Sequence, residues 1–476
     1  MNCDKPNILL VNPWIHDFAA YDVWAKPIGL LTLASILDDH GFSVSYIDCL
    51  DRFHPNAPET DPYARNGRGA YLKTEIPTPE GLEDIPRRFS RYGILSQWFK
   101  EDLLSLPRPD LVLVTSVMTY WYPGVHETIG VIKEIFPNTP VVLGGIYASL
   151  CYEHAKKYSG ADKVVTGPGE KNILKLAGDY TGFQVKLKFD PDDLDTYPYP
   201  RFDLQRKITY VPILTSKGCP FSCAYCASNF LDPKRMLRKP ELVVEEIGYW
   251  HKKFGVRDFV FYDDALLVNA EKHAVPILEG IIKTGFNLRF HTPNAVHIRK
   301  ISKKTARLMF MAGFKTLRVG LETTAFEKRE ELDGKVTADE FRQAVSHLKA
   351  AGFKRNQVGA YLLAGLPGQR SASIKASVET VIKAGIKPIP AYYTPIPHTA
   401  MWEKAVASSR YDIESDPIFT NNAIFPCQKE PFSWETLSDL KKMIPRSIFT
   451  NNAIFPCQKE PFSWETLSDL KKMIPR

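Results

Sequence analysis

The sequence predicts an α/β protein in two consecutive parts: an N-terminal doubly wound (Rossmann-like) parallel sheet, then a partial TIM-type (β/α)6 barrel. Two observations predict it. Short apolar runs alternate with stretches of helical spacing, and the alternation starts afresh after a segment near residue 200 that is rich in Pro and Asp. Strand, helix, strand in regular succession builds a parallel sheet covered on both faces.

In the first part, Asn7–Asn12 reads as a buried strand, Pro27–His40 as a helix stopped by Gly41, and Ser43–Asp48 as a second strand. An irregular, Pro-rich insertion fills Asp51–Arg91. Three more strands, Asp110–Ser116, Pro140–Leu143 and Lys163–Thr166, alternate with helices such as Gly124–Phe136. They bound a domain over about residues 1–180, followed by an aperiodic linker over 181–209. The second part, 210–400, has strand candidates at Tyr210–Thr215, Asp258–Tyr262, Leu288–His291, Thr316–Gly320, Gln357–Leu363 and Ile386–Tyr392. Its helices lie near Pro240–Lys253, Ala270–Lys283, Ser302–Met311, Ala338–Ala351 and Ser371–Ala384, so its active site is expected at the carboxyl ends of the strands.

Residues 401–476 form a C-terminal region in which 418–446 recur unchanged at 448–476. Structural repeats drift, because only a few positions face the stacking core. Perfect identity therefore reads as a recent duplication of the coding sequence or an error in its assembly, with one copy expected to pack, the other to be loosely attached, and Cys427 and Cys457 to be dispensable.

Composition narrows the function. With 44% apolar and 24% charged residues the chain is a folded one. Its net charge of +7 is scattered, without the basic run of a nucleic-acid arm. The longest apolar stretch, Ile28–Leu37, is interrupted by Thr32 and Ser35 and falls well short of the roughly 20 residues of a membrane span. The N-terminus lacks a secretory apolar core, and eight cysteines are too few for a disulfide scaffold, so a cytoplasmic location is expected.

Three of those cysteines crowd into Lys217–Ser228, KGCPFSCAYCAS, directly after the barrel's first strand. Thiolates suit zinc or iron–sulfur clusters; a closed zinc site needs a fourth ligand, usually from a second pair, and none is present. Cys219, Cys223 and Cys226 can instead hold three irons of a [4Fe–4S] cluster and leave the fourth open for a small molecule. The first part adds loops at its strand ends. Gly144 and Gly145 follow one strand and Gly167, Pro168, Gly169 and Glu170 the next, either to make tight turns or to let a bulky cofactor approach the backbone.

The CxxxCxxC spacing, with Tyr225 just before the last cysteine, resembles the radical S-adenosylmethionine (SAM) superfamily. The resemblance implies that the open iron chelates SAM beside Tyr225, and that Asp263 and Asp264, next to Tyr262, lie near the SAM amino group, unless they serve as a helix N-cap. It further implies that Asn294 meets the ribose and that Gly320 and Glu322 form a GxE element. Gly365 in AGLPGQ matches the turn after the fifth strand, with Gln369 where an acid is common.

The joined architecture resembles the cobalamin-binding subclass. Its echoes are PIGLLTLASIL, TSVMTYWY with Thr115 and Ser116, LGGIYAS and TGPGE. The DxHxxG motif, whose histidine ligates cobalt in many cobalamin proteins, is absent, which leaves Met118, Tyr120 or Trp121 as candidates to face the corrin. A first domain that keeps the fold without the cofactor is the alternative.

The resemblance implies reductive cleavage of SAM to a 5′-deoxyadenosyl radical and C-methylation of a small molecule, with an electron donor such as flavodoxin or ferredoxin. Cyclisation, oxidation or rearrangement without methyl transfer is a second expectation, and a non-catalytic cobalamin or cluster sensor a third. Methylthio transfer to RNA would need a further cysteine-bearing domain and a basic C-terminal module, and neither is evident. His291, His297 and His398 read as barrel lining or surface.

Overall fold

The computed structural model describes residues 5–326, 332–334 and 336–428. The first sheet has five parallel strands, β1 (Asn7–Asn12), β2 (Ser43–Asp48), β3 (Leu111–Val114), β4 (Val141–Leu143) and β5 (Lys163–Val164), in the order β2-β1-β3-β4-β5. All six residues of β1 and all four of β3 are buried, which is why these strands read as unbroken apolar runs. Helices α1 (Ile28–Asp39), α2 (Tyr122–Ile135) and α3 (Ile173–Thr181) cover the sheet, α1 and α3 packing into one apolar cluster with Leu10 and Leu113, and α2 into another with Val112 and Val114.

The insertion is more ordered than its sequence reads. Lys73–Glu75 and Ser90–Tyr92 pair antiparallel with Ile15–Asp17 to make a three-stranded sheet. Strands of three residues are too short for a two-residue period to register.

The second sheet has six parallel strands in sequential order: β6 (Val211–Ile213), β7 (Asp258–Phe261), β8 (Arg289–His291), β9 (Phe314–Glu322), β10 (Val358–Ala364) and β11 (Lys387–Tyr392). Its helices are α4 (Pro240–Phe254), α5 (Ala274–Thr284), α6 (Lys303–Ala312), α7 (Ala338–Ala350) and α8 (Ser371–Lys383). Local chemistry sets their ends. Ser302 and Thr337 close capping boxes on α6 and α7, and Gly255, Gly285 and Gly313 stop α4, α5 and α6 in the left-handed conformation. The segment expected to be one helix from Ala270 is a 3-10 turn, Ala270–Lys272, then α5, with Pro276 in its first turn.

The two parts share packing. Leu31 of α1 and Phe202 of the connecting segment belong to the barrel's apolar core, and Trp24 stacks on His291 with ring centroids 4.4 Å apart. Beyond the short helix Trp402–Ser408, the chain returns to the first part: Ile418, Ala423 and Ile424 pack with Phe18, Leu82, Ile85 and Phe89. Of the first repeat copy, 418–428 is described and docked here, and Cys427, expected to be dispensable, is 2% exposed in an apolar cluster with Tyr361, Leu363 and Met401. The rest of that copy and the whole second copy, with Cys457, lie outside the described residues. Among the described residues no helix is long and apolar enough to cross a membrane.

Candidate functional site

The cysteine loop leaves the end of β6 and is fixed at several points. Gly218 takes φ +79°, and a Cβ there would lie 2.8 Å from the Lys234 carbonyl, so the residue before Cys219 must be glycine. The Ala224 amide donates to the Leu332 carbonyl, the Met401 amide to the Ala224 carbonyl, both at 2.9 Å, and Asn229 to the Phe221 carbonyl at 3.2 Å. Cys223 is buried, Cys219 half-buried and Cys226 exposed. The Ser228 amide donates to the Cys226 sulfur at 3.5 Å, with the Ser228 hydroxyl 3.2 Å from it.

Among the described residues no three His, Cys, Asp or Glu side chains are gathered tightly enough to share one metal ion. With N–H and O–H donors at Cys226, the loop's donor set suits a cluster with three thiolate ligands.

The other residues expected near SAM divide. Asp263, 3% exposed, accepts hydrogen bonds from the Thr215 and Ser216 hydroxyls, both at 2.6 Å, and so ties the end of β6 to the end of β7. Asp264 stands exposed at the rim. Asn294 donates to the Tyr262 carbonyl at 2.7 Å. Gly320 leaves room for Glu322 to fold back, since a Cβ there would lie 2.9 Å from Glu322 Oε1, and Glu322 itself has φ +58°. Burial, then Glu322 and Cys223, hold the Tyr225 hydroxyl well above its usual range, so Tyr225, Glu322 and the cysteine loop do come together.

At the turn after β10, Gly365 has φ +95°, and its amide and that of Leu366 donate to Gln369 Oε1 at 2.8 and 3.2 Å while Gln369 Nε2 donates to the Leu363 carbonyl at 2.9 Å. An acid could accept the first two bonds but, when ionised, could not donate the third, which accounts for glutamine here.

At the strand ends of the first sheet, Thr115, Gly144, Gly145, Gly167, Gly169 and Glu170 line one cavity of about 370 Å³, walled by Leu30, Leu33 and Leu113. The glycines serve different ends. A Cβ at Gly145 would sit 2.3 Å from the Ser116 carbonyl, so that residue makes the turn; at Gly167, φ +74°, a Cβ would meet nothing within 4 Å, so that backbone faces open space. Ser116 lies beneath, its hydroxyl donating to the Gly144 carbonyl at 2.7 Å. An apolar cavity rimmed by bare backbone is a cradle that fits a large cofactor at the sheet's switch point. In the neighbouring loop, Tyr120 is fully buried and the Trp121 indole donates to Asp17 at 2.8 Å, whereas Met118 is half-buried.

Contacts between distant residues join this cavity to the cysteine loop. Lys217, two residues before Cys219, pairs with Glu170 at 3.2 Å and with Asp232 at 3.4 Å. His398 stacks on Phe230, centroids 4.2 Å apart, and lies 3.2 Å from the Leu150 carbonyl. His291 is completely buried and His297 packs on Phe221.

A bare-backbone cradle on the first sheet and a trithiolate loop on the second are the features that a B12-binding domain joined to a radical SAM domain would present, and comparison with known families finds those two domains. The chain carries a Radical SAM superfamily domain over residues 213–381 and a B12 binding domain over residues 101–177. It is 26% identical over 332 residues to the uncharacterised methyltransferase PH0819 of Pyrococcus horikoshii, covering 63% of this chain and 70% of that protein. It is 25% identical to the anaerobic magnesium-protoporphyrin IX monomethyl ester cyclase of Cereibacter sphaeroides over 51% of this chain, and spans less than half, 45%, of that relative. In fold it resembles the radical SAM methyltransferase TsrM from Kitasatospora setae, solved with cobalamin and a [4Fe–4S] cluster bound, with a TM-score of 0.67, 17% identity and coverage of 94% of this chain and 93% of that one.

Proposed function

We infer that the chain is a cobalamin-dependent radical SAM enzyme and propose that it methylates an unactivated carbon of a small molecule. The observation that carries the reading is the Lys217–Glu170 pair, which fixes the trithiolate loop against the cofactor cavity of the first sheet. When bound, the cluster supplies an electron to SAM and cobalamin supplies a carrier for a methyl group.

The chain's own residues hold and enclose these groups. Cys219, Cys223 and Cys226 would ligate the cluster, with Ser228 donating toward the Cys226 sulfur. Tyr225 and Glu322 would border SAM, and the buried acid Asp263 would keep the ends of β6 and β7 in register beneath it. Thr115, Gly144, Gly145, Gly167, Gly169 and Glu170 would border the corrinoid. Buried Tyr393, Thr394 and Met401, with the docked segment 418–428, close the side of the barrel mouth and exclude water and competing hydrogen donors. An electron donor such as flavodoxin or ferredoxin would reduce the cluster, and the location proposed is cytoplasmic.

Anaerobic turnover of the reduced holoenzyme with methyl-labelled SAM tests the reading. Label in a carbon-methylated product supports it. Deoxyadenosine formed without label transfer favours cyclisation, oxidation or rearrangement, the reading favoured by the similarity to the magnesium-protoporphyrin cyclase.

A further inference from the structure

The lower part of the barrel, away from the cysteine loop, gathers three cations without matching anions. Arg318 on β9, Gly359 on β10 and Lys387 on β11 stand in one lateral row, Arg318 paired in register with Gly359 and Gly359 with Lys387. Residues in such a row share a face of the sheet. The glycine between the two cations lets neighbouring side chains close over the backbone, since a Cβ at 359 would lie 3.2 Å from Arg318 Nη1 and 2.3 Å from Ile389 Cδ1, which take its place. Arg68 enters from the N-terminal insertion, its guanidinium 4.4 Å from the centre of the Trp24 ring that stacks on His291.

Arg318, Lys387 and Arg68 are 2%, 3% and 5% exposed. Their donors are largely unanswered by protein. Arg318 Nη1 reaches the Leu317 carbonyl at 3.2 Å and the guanidinium meets the Tyr361 hydroxyl, Arg68 Nε reaches the Arg65 carbonyl at 2.8 Å and feels Asp22 only at a distance, while among the described residues the Lys387 ammonium has no hydrogen-bond or ion-pair partner. The acids of this region are already engaged. Asp258 is held by Arg289 and His291, and Asp22 by Arg52, the Tyr210 hydroxyl and the Trp24 amide. Burial, then Arg318 and Arg68, push Lys387 down to about 7, which places the three cations within electrostatic reach of one another.

Buried charge is ordinarily paired, because desolvation without a counter-charge is costly. Water could take the spare hydrogen bonds and loss of the Lys387 proton would ease the repulsion, but Arg318 and Arg68 would still oppose each other as buried cations. We propose that the row of Arg318, Gly359 and Lys387, capped by Arg68, binds a small inorganic anion, a halide or a phosphate-sized oxyanion, that bridges the N-terminal part to the barrel. Arg318 lies four residues before Glu322 on β9, about 13 Å at strand rise, so the bound anion fastens the two parts together and takes no share in chemistry at the barrel mouth.

The test is the thermal midpoint of the anaerobic holoenzyme in chloride, bromide or phosphate, against gluconate at equal ionic strength, with anomalous diffraction from bromide-grown crystals. The midpoint should rise with the logarithm of the inorganic anion concentration and not with gluconate. A halide response comes with a bromide peak in hydrogen-bond reach of Lys387 Nζ, and a response to phosphate alone assigns the oxyanion. Lys387→Met should lose most of the response and match or exceed the wild-type midpoint in gluconate. The same midpoint in gluconate and all three salts, or an undiminished response in Lys387→Met, would overturn the proposal; if the variant does not fold, the wild-type salt series decides alone.

Discussion

At the scale of single residues, the chemistry concentrates in one loop whose cysteines differ in exposure, buried Cys223 standing between half-buried Cys219 and exposed Cys226. On the proposed ligation, replacing Cys223 with Ala leaves two of the three thiolates for the cluster. Iron and sulfide content after anaerobic reconstitution should fall to near background and SAM cleavage should cease, while the far-ultraviolet circular dichroism stays that of the parent; robust cleavage by the variant would remove Cys223 from the ligand set. The three cysteines were legible in the sequence because their spacing is local. The pairing of Lys217 with Glu170 was not, since 47 residues separate the partners and only the fold brings them together. Asp263 was legible as a polar group at a strand end, but its engagement by Thr215 and Ser216 depends on the neighbouring strand.

Between elements, β7 and β8 are joined by charge as well as by backbone. Burial opposes ionisation of Asp258, but hydrogen bonds from His291 and Arg289 outweigh it and hold the carboxyl below its usual range. Burial in turn pushes His291 down to about 4 against the pull of Asp258. Between the ordinary histidine value of 6.5 and about 4, the unfolded chain binds a proton that the folded chain refuses, so stability falls as pH drops through that window. The Asp258 contribution is present above the ordinary carboxyl value of 3.8 and is lost only at lower pH. Below about pH 6.5 His291 therefore adds a decline to the thermal midpoint of the holoenzyme, and His291→Gln should flatten the slope there in part, because burial also pushes His126 down to about 4 while Asp48, raised to about 6, works the other way. An unchanged slope in that variant would show that His291 carries none of the effect. At this scale the long strands and capped helices were readable from period and end signals. The three-residue strands inside the insertion were not, because each borrows its stability from its neighbours rather than from its own pattern.

Across the whole molecule, the segment after Trp402–Ser408 straps the barrel to the first sheet. Asn421 donates to one oxygen of buried Asp17 at 2.9 Å and Trp121 to the other at 2.8 Å, Thr420 meets Thr119 at 2.9 Å, and at the far end Gln428 donates to the Leu366 carbonyl at 2.9 Å beside the turn of Gly365. The strap thus touches both the loop after β3 and the turn after β10. Asn421→Asp would set a second carboxylate against Asp17, whose own proton affinity burial already raises, and should cost about 3–5 kcal/mol, read as a drop in the unfolding midpoint. A midpoint equal to that of the parent would show that the strap is not seated there. Duplication of 418–446 was plain in the sequence, but the seat that its first residues occupy was not, because it is built from Phe18, Leu82, Ile85 and Phe89, more than three hundred positions earlier. The joint presence of cluster and corrinoid is best tested by purifying the protein without oxygen, reconstituting it, and measuring iron, sulfide and cobalt alongside its absorption and electron paramagnetic resonance spectra with and without SAM. About four irons, four sulfides and one corrinoid per chain, with a cluster signal that shifts on adding SAM, is the expected result. Zinc in place of iron, absence of cobalt after loading, or a cluster signal indifferent to SAM would contradict it.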